Sequence, residues 1–194
     1  MLKINKGNPW LFWPSSICET FPEHPSNLLL TGDKEFSFTI EFTMQDDSID
    51  HKTIFALLPK YSGLDVYVDK SIFTITYEDE TVYYDIGDVI KPFEKTIVTF
   101  LHLPKEKLVV FINKKVVVEE DLTNKTFGLS EAPHIVFAAG NFPKNDFNLN
   151  YVDLDLHNFN IKHEGKTITN HDFQQQIFDK FVDTTDNLNF IHKL

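Results

Sequence analysis

Phe36, Phe38, Ile40, Phe42 and Met44 alternate along the chain with Ser37, Thr39, Glu41 and Thr43. A period of two is that of a β-strand with one face in a core and the other toward solvent or a groove. The pattern predicts Phe36, Phe38, Ile40 and Phe42 inside, and Ser37, Thr39 and Glu41 outside. Similar alternation recurs over residues 53–58, 64–68, 71–77, 82–86, 96–103, 107–112, 116–119, 134–139 and 151–159. Short turn-forming stretches separate these runs: 59–63, 69–70, 78–80, 104–106 and Asn113-Lys114. Many short strands, brief turns and almost no room for crossover helices predict an all-β, antiparallel two-sheet sandwich.

Two stretches break the alternation. Thr169 or Asn170 can cap a helix whose apolar residues Phe173, Ile177 and Phe181 fall four apart on one face, which predicts one short helix near the C-terminus. Residues 1–26 are rich in aromatics and proline, including Trp10, Phe12, Trp13, Pro14, Phe21, Pro22 and Pro25. Such a segment is expected to wrap over the sandwich and bury its rings, not to run through a sheet. The predicted organisation is an aromatic N-terminal segment over 1–26, a sandwich over 27–178 and a tail over 179–194 that could lead into a further domain.

Composition narrows the function. Of 194 residues, 18 are basic and 29 acidic, a formal net charge of −11, and every basic residue is Lys. A chain of this charge lacks the basic surface that nucleic acid or an anionic membrane requires. Bidentate Arg recognition of phosphate or carboxylate is not available to it. Cys18 is the single cysteine, so no intramolecular disulfide can form. The first residues lack the apolar stretch and cleavage site of a signal peptide, and no run reaches the ~20 apolar residues of a membrane helix. These features lead to the expectation of a cytoplasmic setting, or another reached without a recognisable signal peptide, and of no membrane span.

The order of the strands resembles a known family. Phe36-Ser37-Phe38-Thr39-Ile40-Glu41-Phe42 is similar to the early "FTIEFW" strand of concanavalin A-like and laminin G-like domains. The next two strands of that family are matched by Thr53-Ile54-Phe55-Ala56-Leu57 and by Gly63-Leu64-Asp65-Val66-Tyr67-Val68. Thr96-Ile97-Val98-Thr99-Phe100 resembles "WHHVAVTF", without its Trp. The hairpin from Leu108 to Val117 resembles "LYVDGKLV", with Asn113-Lys114 in place of Asp-Gly. The closing "GYIDDVRIYN" strand is echoed by residues 151–161, and "LSDEEI" by 169–176. The resemblance covers about 27–178 and implies a jelly roll of two curved antiparallel sheets. It also implies carbohydrate binding, with rim-loop Ca²⁺ in several members.

Candidate chemistry is sparse. Glycoside hydrolases on this fold carry alternate carboxylates on one strand, as a general acid and a nucleophile demand. Glu78-Asp79-Glu80 and Glu119-Glu120-Asp121 are consecutive charges at strand ends, which splits them between faces or leaves them in turns. Asp153 and Asp155 share a face opposite Val152, Leu154 and Leu156, but His157 stands where a third carboxylate would be needed. The two Asp could contribute to a Ca²⁺ site, which needs 6–8 oxygens. Asp65, Asp69 and Asn141 are further weak candidates for that ion. Eight His are scattered without zinc spacing, His157 and His163 excepted, and no phosphate-cradling glycine loop is present. No catalytic constellation emerges.

Exposed aromatics remain. Sugars stack their C–H faces on Tyr or Trp, while amides and carboxylates take their hydroxyls. Tyr83 and Tyr84 are adjacent on a strand and must face opposite ways, with Asp85 beside them and Tyr67 nearby in sequence. The sequence therefore leads to a non-catalytic, lectin-like domain whose partner is a glycan or glycan-bearing surface. It needs no cofactor except Ca²⁺ in one variant, and it could be accessory to a larger carbohydrate-active protein. A protein-interaction or homo-oligomerisation module is the alternative, and a divergent glycoside hydrolase the third reading.

Overall fold

The computed structural model describes residues 1–4, 10–13, 34–45, 53–58, 64–67, 72–77, 80–125, 134–137, 152–173, 176–177, 180–182 and 190–193. In chain order the strands begin with β1 (Leu2–Ile4), β2 (Trp10–Trp13), β3 (Phe36–Met44), β4 (Thr53–Leu58), β5 (Leu64–Tyr67) and β6 (Ile72–Tyr77). Then come β7 (Glu80–Asp85), β8 (Lys95–Leu103), β9 (Lys107–Ile112), β10 (Lys115–Asp121) and β11 (His134–Phe137). The last are β12 (Leu154–His163), β13 (Lys166–Asp172), β14 (Gln176–Ile177), β15 (Lys180–Val182) and β16 (Phe190–Lys193).

They form two antiparallel sheets. The seven-stranded sheet runs β1-β12-β3-β8-β9-β10, with β13 also paired to β12. The nine-stranded sheet runs β14-β15-β16-β2-β11-β4-β5-β6-β7. β1 pairs with residues 154–156 of β12 and β13 with residues 158–163, so both lie along the same edge of that strand.

The core lies between the sheets. Along β3 every second residue, Phe36 through Met44, is buried, and the intervening Ser37, Thr39, Glu41 and Thr43 are half-exposed. Val98 and Phe100 of β8, Val110 and Ile112 of β9, and Leu154, Leu156, Phe159 and Ile161 of β12 complete that side. Ile54 of β4 and Phe73 of β6 meet them from the other sheet, with Val82 and Tyr84 of β7 packed at the margin. Each such side chain contributes about 1.5–3 kcal/mol by leaving water. The fold is thus the expected all-β jelly-roll sandwich.

The helix near the C-terminus is not formed. Thr169 and Asn170 belong to β13, where they oppose Ile161 and Asn160. Ile177 and Phe181 fall in the short strands β14 and β15. Among the described residues there is no helix. The cause is upstream: Glu164 and Gly165 both have positive φ (48° and 75°), a two-residue turn that folds the chain straight back onto β12. Once in that ladder the local period is two, with His171 and Phe173 buried and Asn170 and Asp172 half-exposed. The His171 ring lies between those of Phe159 and Phe173, with centroids 6.3 and 6.1 Å away.

A second correction concerns the N-terminal segment, which does run through the sheets. β1 pairs with β12, and β2 sits in the interior of the nine-stranded sheet between β11 and β16. Pro9 and Pro14 flank Trp10–Trp13 and no proline lies within it, so nothing prevents that strand from donating to both neighbours. The rings of Trp10, Phe12 and Trp13, and Cys18, lie outside the described residues.

Candidate functional site

The outward face of the seven-stranded sheet carries a continuous polar row. Asn170 of β13 opposes Asn160 of β12, Asn160 opposes Thr39 of β3, and Thr39 opposes Thr99 of β8. One row along, Thr167 opposes Lys162, and Lys162 opposes Ser37. These seven side chains line a groove of about 490 Å³. Within it the Thr39 and Thr99 hydroxyls share a hydrogen bond of 3.1 Å, and Asn160 Nδ2 donates weakly to Asn158 Oδ1 at 3.5 Å. Beyond Thr99 and Ser37 the face turns apolar, with Phe111 opposite Thr99 and Leu101 opposite Ser37, both half-buried.

A smaller hollow of about 330 Å³ adjoins along the same strands, lined by Met1, Glu41, Lys95, His157, Asn158 and Asp172. A β-bulge builds it. Leu156 opposes Phe42 and Asn158 opposes Glu41, so His157 is an extra residue in β12. His157 and Asn158 are consequently both half-exposed, consecutive residues facing the same way, which an unbroken strand does not allow. Glu41 forms an ion pair with Lys95, and His157 Nε2 lies 2.9 Å from the Thr43 hydroxyl. The N-terminal ammonium of Met1 donates to the Phe173 carbonyl at 2.6 Å. Burial first, then the positive charges of Lys95 and the N-terminus, push the His157 imidazole below its ordinary pKa, against the opposing pull of Glu41 and Asp155.

Chemically, the two hollows offer amides that both donate and accept, hydroxyls that do the same, one lysine at one end and a mixed ionic cluster at the other. Polyhydroxylated ligands suit such a surface.

The residues singled out from sequence are dispersed. Tyr83 and Tyr84 lie on β7, at the edge of the other sheet, and point opposite ways as expected. Tyr83 is 69% exposed, whereas Tyr84 packs at the core margin and its hydroxyl donates to Glu120 Oε2 at 2.5 Å. The Asp85 carboxylate accepts from the Gly87 backbone N–H at 2.9 Å. Tyr67 ends β5, paired with Thr53, and its ring lies outside the described part of the protein.

Asp153 and Asp155 do face away from the buried Val152, Leu154 and Leu156. Asp155 accepts from Gln45 Nε2 at 2.8 Å, and the Asp153 carbonyl accepts from the Gln45 backbone N–H at the same distance. Among the described residues, no group of three or more His, Cys, Asp and Glu is placed to hold a metal ion. Asp69 and Asn141 lie outside the described residues. Among those residues, no helix is long and apolar enough to cross a membrane.

The groove residues Asn160, Lys162 and Thr167, and Asn158 of the adjoining hollow, are not singled out by the sequence pattern. A signal existed: polar residues at every outward position of β3 and most of β12, with Asn in place of the usual charged or β-branched choices.

No family model and no curated protein matches the chain. Solved structures do. The botulinum neurotoxin serotype D binding domain superposes with a TM-score of 0.53 at 13% identity, over 82% of this chain and 37% of that one. The receptor binding domain of botulinum neurotoxin D gives 0.49 at 14%, over 70% and 35%. An alginate lyase of polysaccharide lyase family 7 gives 0.44 at 12%, over 67% and 59%. The chain therefore spans just over a third of the length of the two toxin domains and 59% of the lyase. At such identities the likeness is one of fold, and that fold is the β-sandwich jelly roll.

Proposed function

We propose that the protein is a non-catalytic carbohydrate-binding domain of the concanavalin A-like, laminin G-like kind, and that its glycan lies across the outer face of the seven-stranded sheet. The observation that carries this reading is the groove in which Asn170, Asn160, Thr39 and Thr99 stand side by side on four adjacent strands. Amides and hydroxyls at strand spacing, about 4.8 Å apart, offer paired donors and acceptors to successive sugar hydroxyls. The half-buried Phe111 and Leu101 beside them can receive the C–H face of a ring.

Binding in a groove this open is micromolar to millimolar, because one or two stacked rings add only about 1–3 kcal/mol each by analogy with bases on aromatic side chains. The domain would then act as an accessory to a larger carbohydrate-active protein. A second location on the same protein is Tyr83, whose ring is 69% exposed, with Asp85 two residues further along the edge strand.

A glycan array run with and without Ca²⁺ tests the proposal, using the wild type, Asn160→Ala, Thr39→Val and Tyr83→Ala. Loss in Asn160→Ala and Thr39→Val with retention in Tyr83→Ala supports the groove. The reverse moves the site to β7, and dependence on Ca²⁺ implicates Asp153 and Asp155. A wild type that binds no glycan yet forms a tight dimer by light scattering sinks the carbohydrate reading in favour of an interaction module.

A further inference from the structure

The two halves of the outer face differ in charge. In the larger groove every lining residue except Lys162 is neutral, and none is a carboxylate. That is unusual for a protein with 29 acidic residues and a net charge of −11. Lys162 has Thr167 directly beside it on β13 and Ser37 directly beside it on β3. The next row supplies Asn170 and Asn160. Lys162, like Lys91, Lys105, Lys114, Lys115 and Lys166, has no ion-pair partner among the described residues, but of these it alone lines the groove. A lysine whose neighbours on both adjoining strands carry hydroxyls, with amides one row away, supplies hydrogen-bond donors suited to an oxyanion.

The adjoining hollow has the opposite bias. Glu41 and Asp172 line it and Asp155 lies near His157, against Lys95 and the N-terminal ammonium. From Lys162 to Asn158 is four residues, about 13 Å at ~3.3 Å per residue, which exceeds the ~8 Å Debye length at physiological salt. A carboxylate at Lys162 is thus screened from the acidic end, whereas a chain carrying a carboxylate on every sugar would meet Glu41 and Asp172.

We infer that the Lys162 end of the groove binds the carboxylate of a single acidic sugar, a uronic or sialic acid residue, carried on an otherwise neutral oligosaccharide. The inference rests on the carbohydrate reading above and specifies its ligand class. It also reverses the simplest expectation from net charge, that an anionic ligand is repelled: the groove around Lys162 is lined by neutral residues, whatever the total charge.

The test measures affinities for matched pairs: lactose against sialyllactose, xylotetraose against xylotriose bearing one glucuronate, and tetragalacturonate as the polyanion. In at least one pair the acidic member should bind wild type about two- to fivefold tighter than its neutral partner at low salt, the scale of a solvent-exposed ion pair. That preference should shrink in 0.5 M salt, where the Debye length falls to about 4 Å. Lys162→Gln should bring the acidic member down to its neutral partner, Lys162→Arg should keep most of the preference, and tetragalacturonate should bind less well than the singly charged glycan. Lys162 is exposed, so both variants should melt like wild type.

Equal affinity within every pair, or a preference that survives Lys162→Gln, overturns the inference while leaving carbohydrate binding intact. If no member of any pair binds, or if Asn160→Ala and Thr39→Val leave all binding unchanged, the carbohydrate reading of the groove falls and this inference with it.

Discussion

The Tyr84 hydroxyl donates to Glu120 Oε2 at 2.5 Å, joining β7 at the edge of one sheet to β10 at the edge of the other. Lys125 Nζ donates to the second oxygen of the same carboxylate, also at 2.5 Å. Burial opposes ionisation of Glu120, but the hydrogen bonds from Lys125 and Tyr84 outweigh it, and the net effect holds its carboxyl below the ordinary value. This bridge therefore favours the charged form and closes the sandwich at one margin.

Removing the hydroxyl alone should expose its worth. Tyr84→Phe keeps the ring packed and should cost about 1–2 kcal/mol, the low end for a hydrogen bond to a charged group at a half-exposed site. The sign with pH is fixed by the lowered carboxyl. Its contribution is fully present above the unfolded glutamate value of about 4.3 and is lost as pH falls through the lower folded value. Urea melts of the two proteins should therefore differ at pH 7 and converge in the acid range. A constant difference down to the lowest pH would mean that the hydroxyl acts through packing and not through Glu120.

The hairpin between β9 and β10 turns on Asn113 and Lys114, both with positive φ (49° and 69°). Asn113 is well placed: its backbone N–H donates to the Ile97 carbonyl at 2.8 Å, and its Oδ1 accepts from the Ile97 N–H at 2.9 Å. Lys114 gains nothing comparable from a conformation that costs an L-residue about 1–2 kcal/mol. Lys114→Gly removes that cost but adds ~0.5–1 kcal/mol of unfolded-state entropy, so the net should be a stabilisation of several tenths of a kcal/mol. Asn113→Ala should destabilise by more than that. A lower melting temperature for Lys114→Gly would contradict the account.

His102 is the clearest acid-sensitive group in the core. It is 1% exposed, stacks on Phe36 with centroids 4.7 Å apart, and places Nδ1 2.9 Å from the Lys34 carbonyl. Burial pushes its pKa below the ordinary 6.5, against the raising effect of that carbonyl. The unfolded chain thus takes up a proton at His102 at a higher pH than the folded protein does. Stability should fall as pH drops below about 6.5 and stop falling, for this group, once the folded value is passed. His102→Phe should flatten the melting temperature between pH 7 and pH 5 relative to wild type. An unchanged slope would assign the acid sensitivity elsewhere.

Ile40, at the centre of β3, is 1% exposed and faces Val98 and Phe159 across the ladder. Ile40→Ala should cost about 2–5 kcal/mol, the range for truncating a buried aliphatic side chain. A denaturant midpoint shifted by less than a surface change, about 0.5 kcal/mol, would put the register of β3 in error.

That register was legible because the alternation around Ile40 is uninterrupted over nine residues, and period two admits one buried face. The same reasoning placed Asp153 and Asp155 outward and set Tyr83 against Tyr84. It failed at Phe173, Ile177 and Phe181, whose fourfold spacing fits a helix, because the Glu164-Gly165 turn commits the chain to a strand before that spacing begins. The groove was harder still. Its residues come from β3, β8, β12 and β13, separated by up to 133 positions from Ser37 to Asn170, and only pairing brings them into one row. The bulge at His157 marks the sequence only as two consecutive polar residues, His157-Asn158, which a simple break in the alternation would also produce.

The N-terminal strands yield the most demanding test of the fold. β2 is hydrogen-bonded on both sides, with Leu11 opposite Val136 of β11 and His192 of β16. Among the described residues, β1 is hydrogen-bonded on one side only, to β12. Deleting residues 1–4 removes an edge strand, together with the ammonium that donates to Phe173, and should lower the melting temperature modestly. Deleting residues 1–13 also withdraws the strand that connects β16, β15 and β14 to the rest of their sheet, leaving β11 and β16 with unpaired edges. The longer deletion should bind hydrophobic dye, lose hydrogen-exchange protection in β11 and β16, and tend to aggregate. Leu11→Pro should mimic it in the full-length chain, because a central strand cannot spare a donor or accommodate the ring. If Leu11→Pro and the 1–13 deletion both melt like wild type, β2 does not occupy the interior of the sheet, and the nine-stranded order is wrong at its centre.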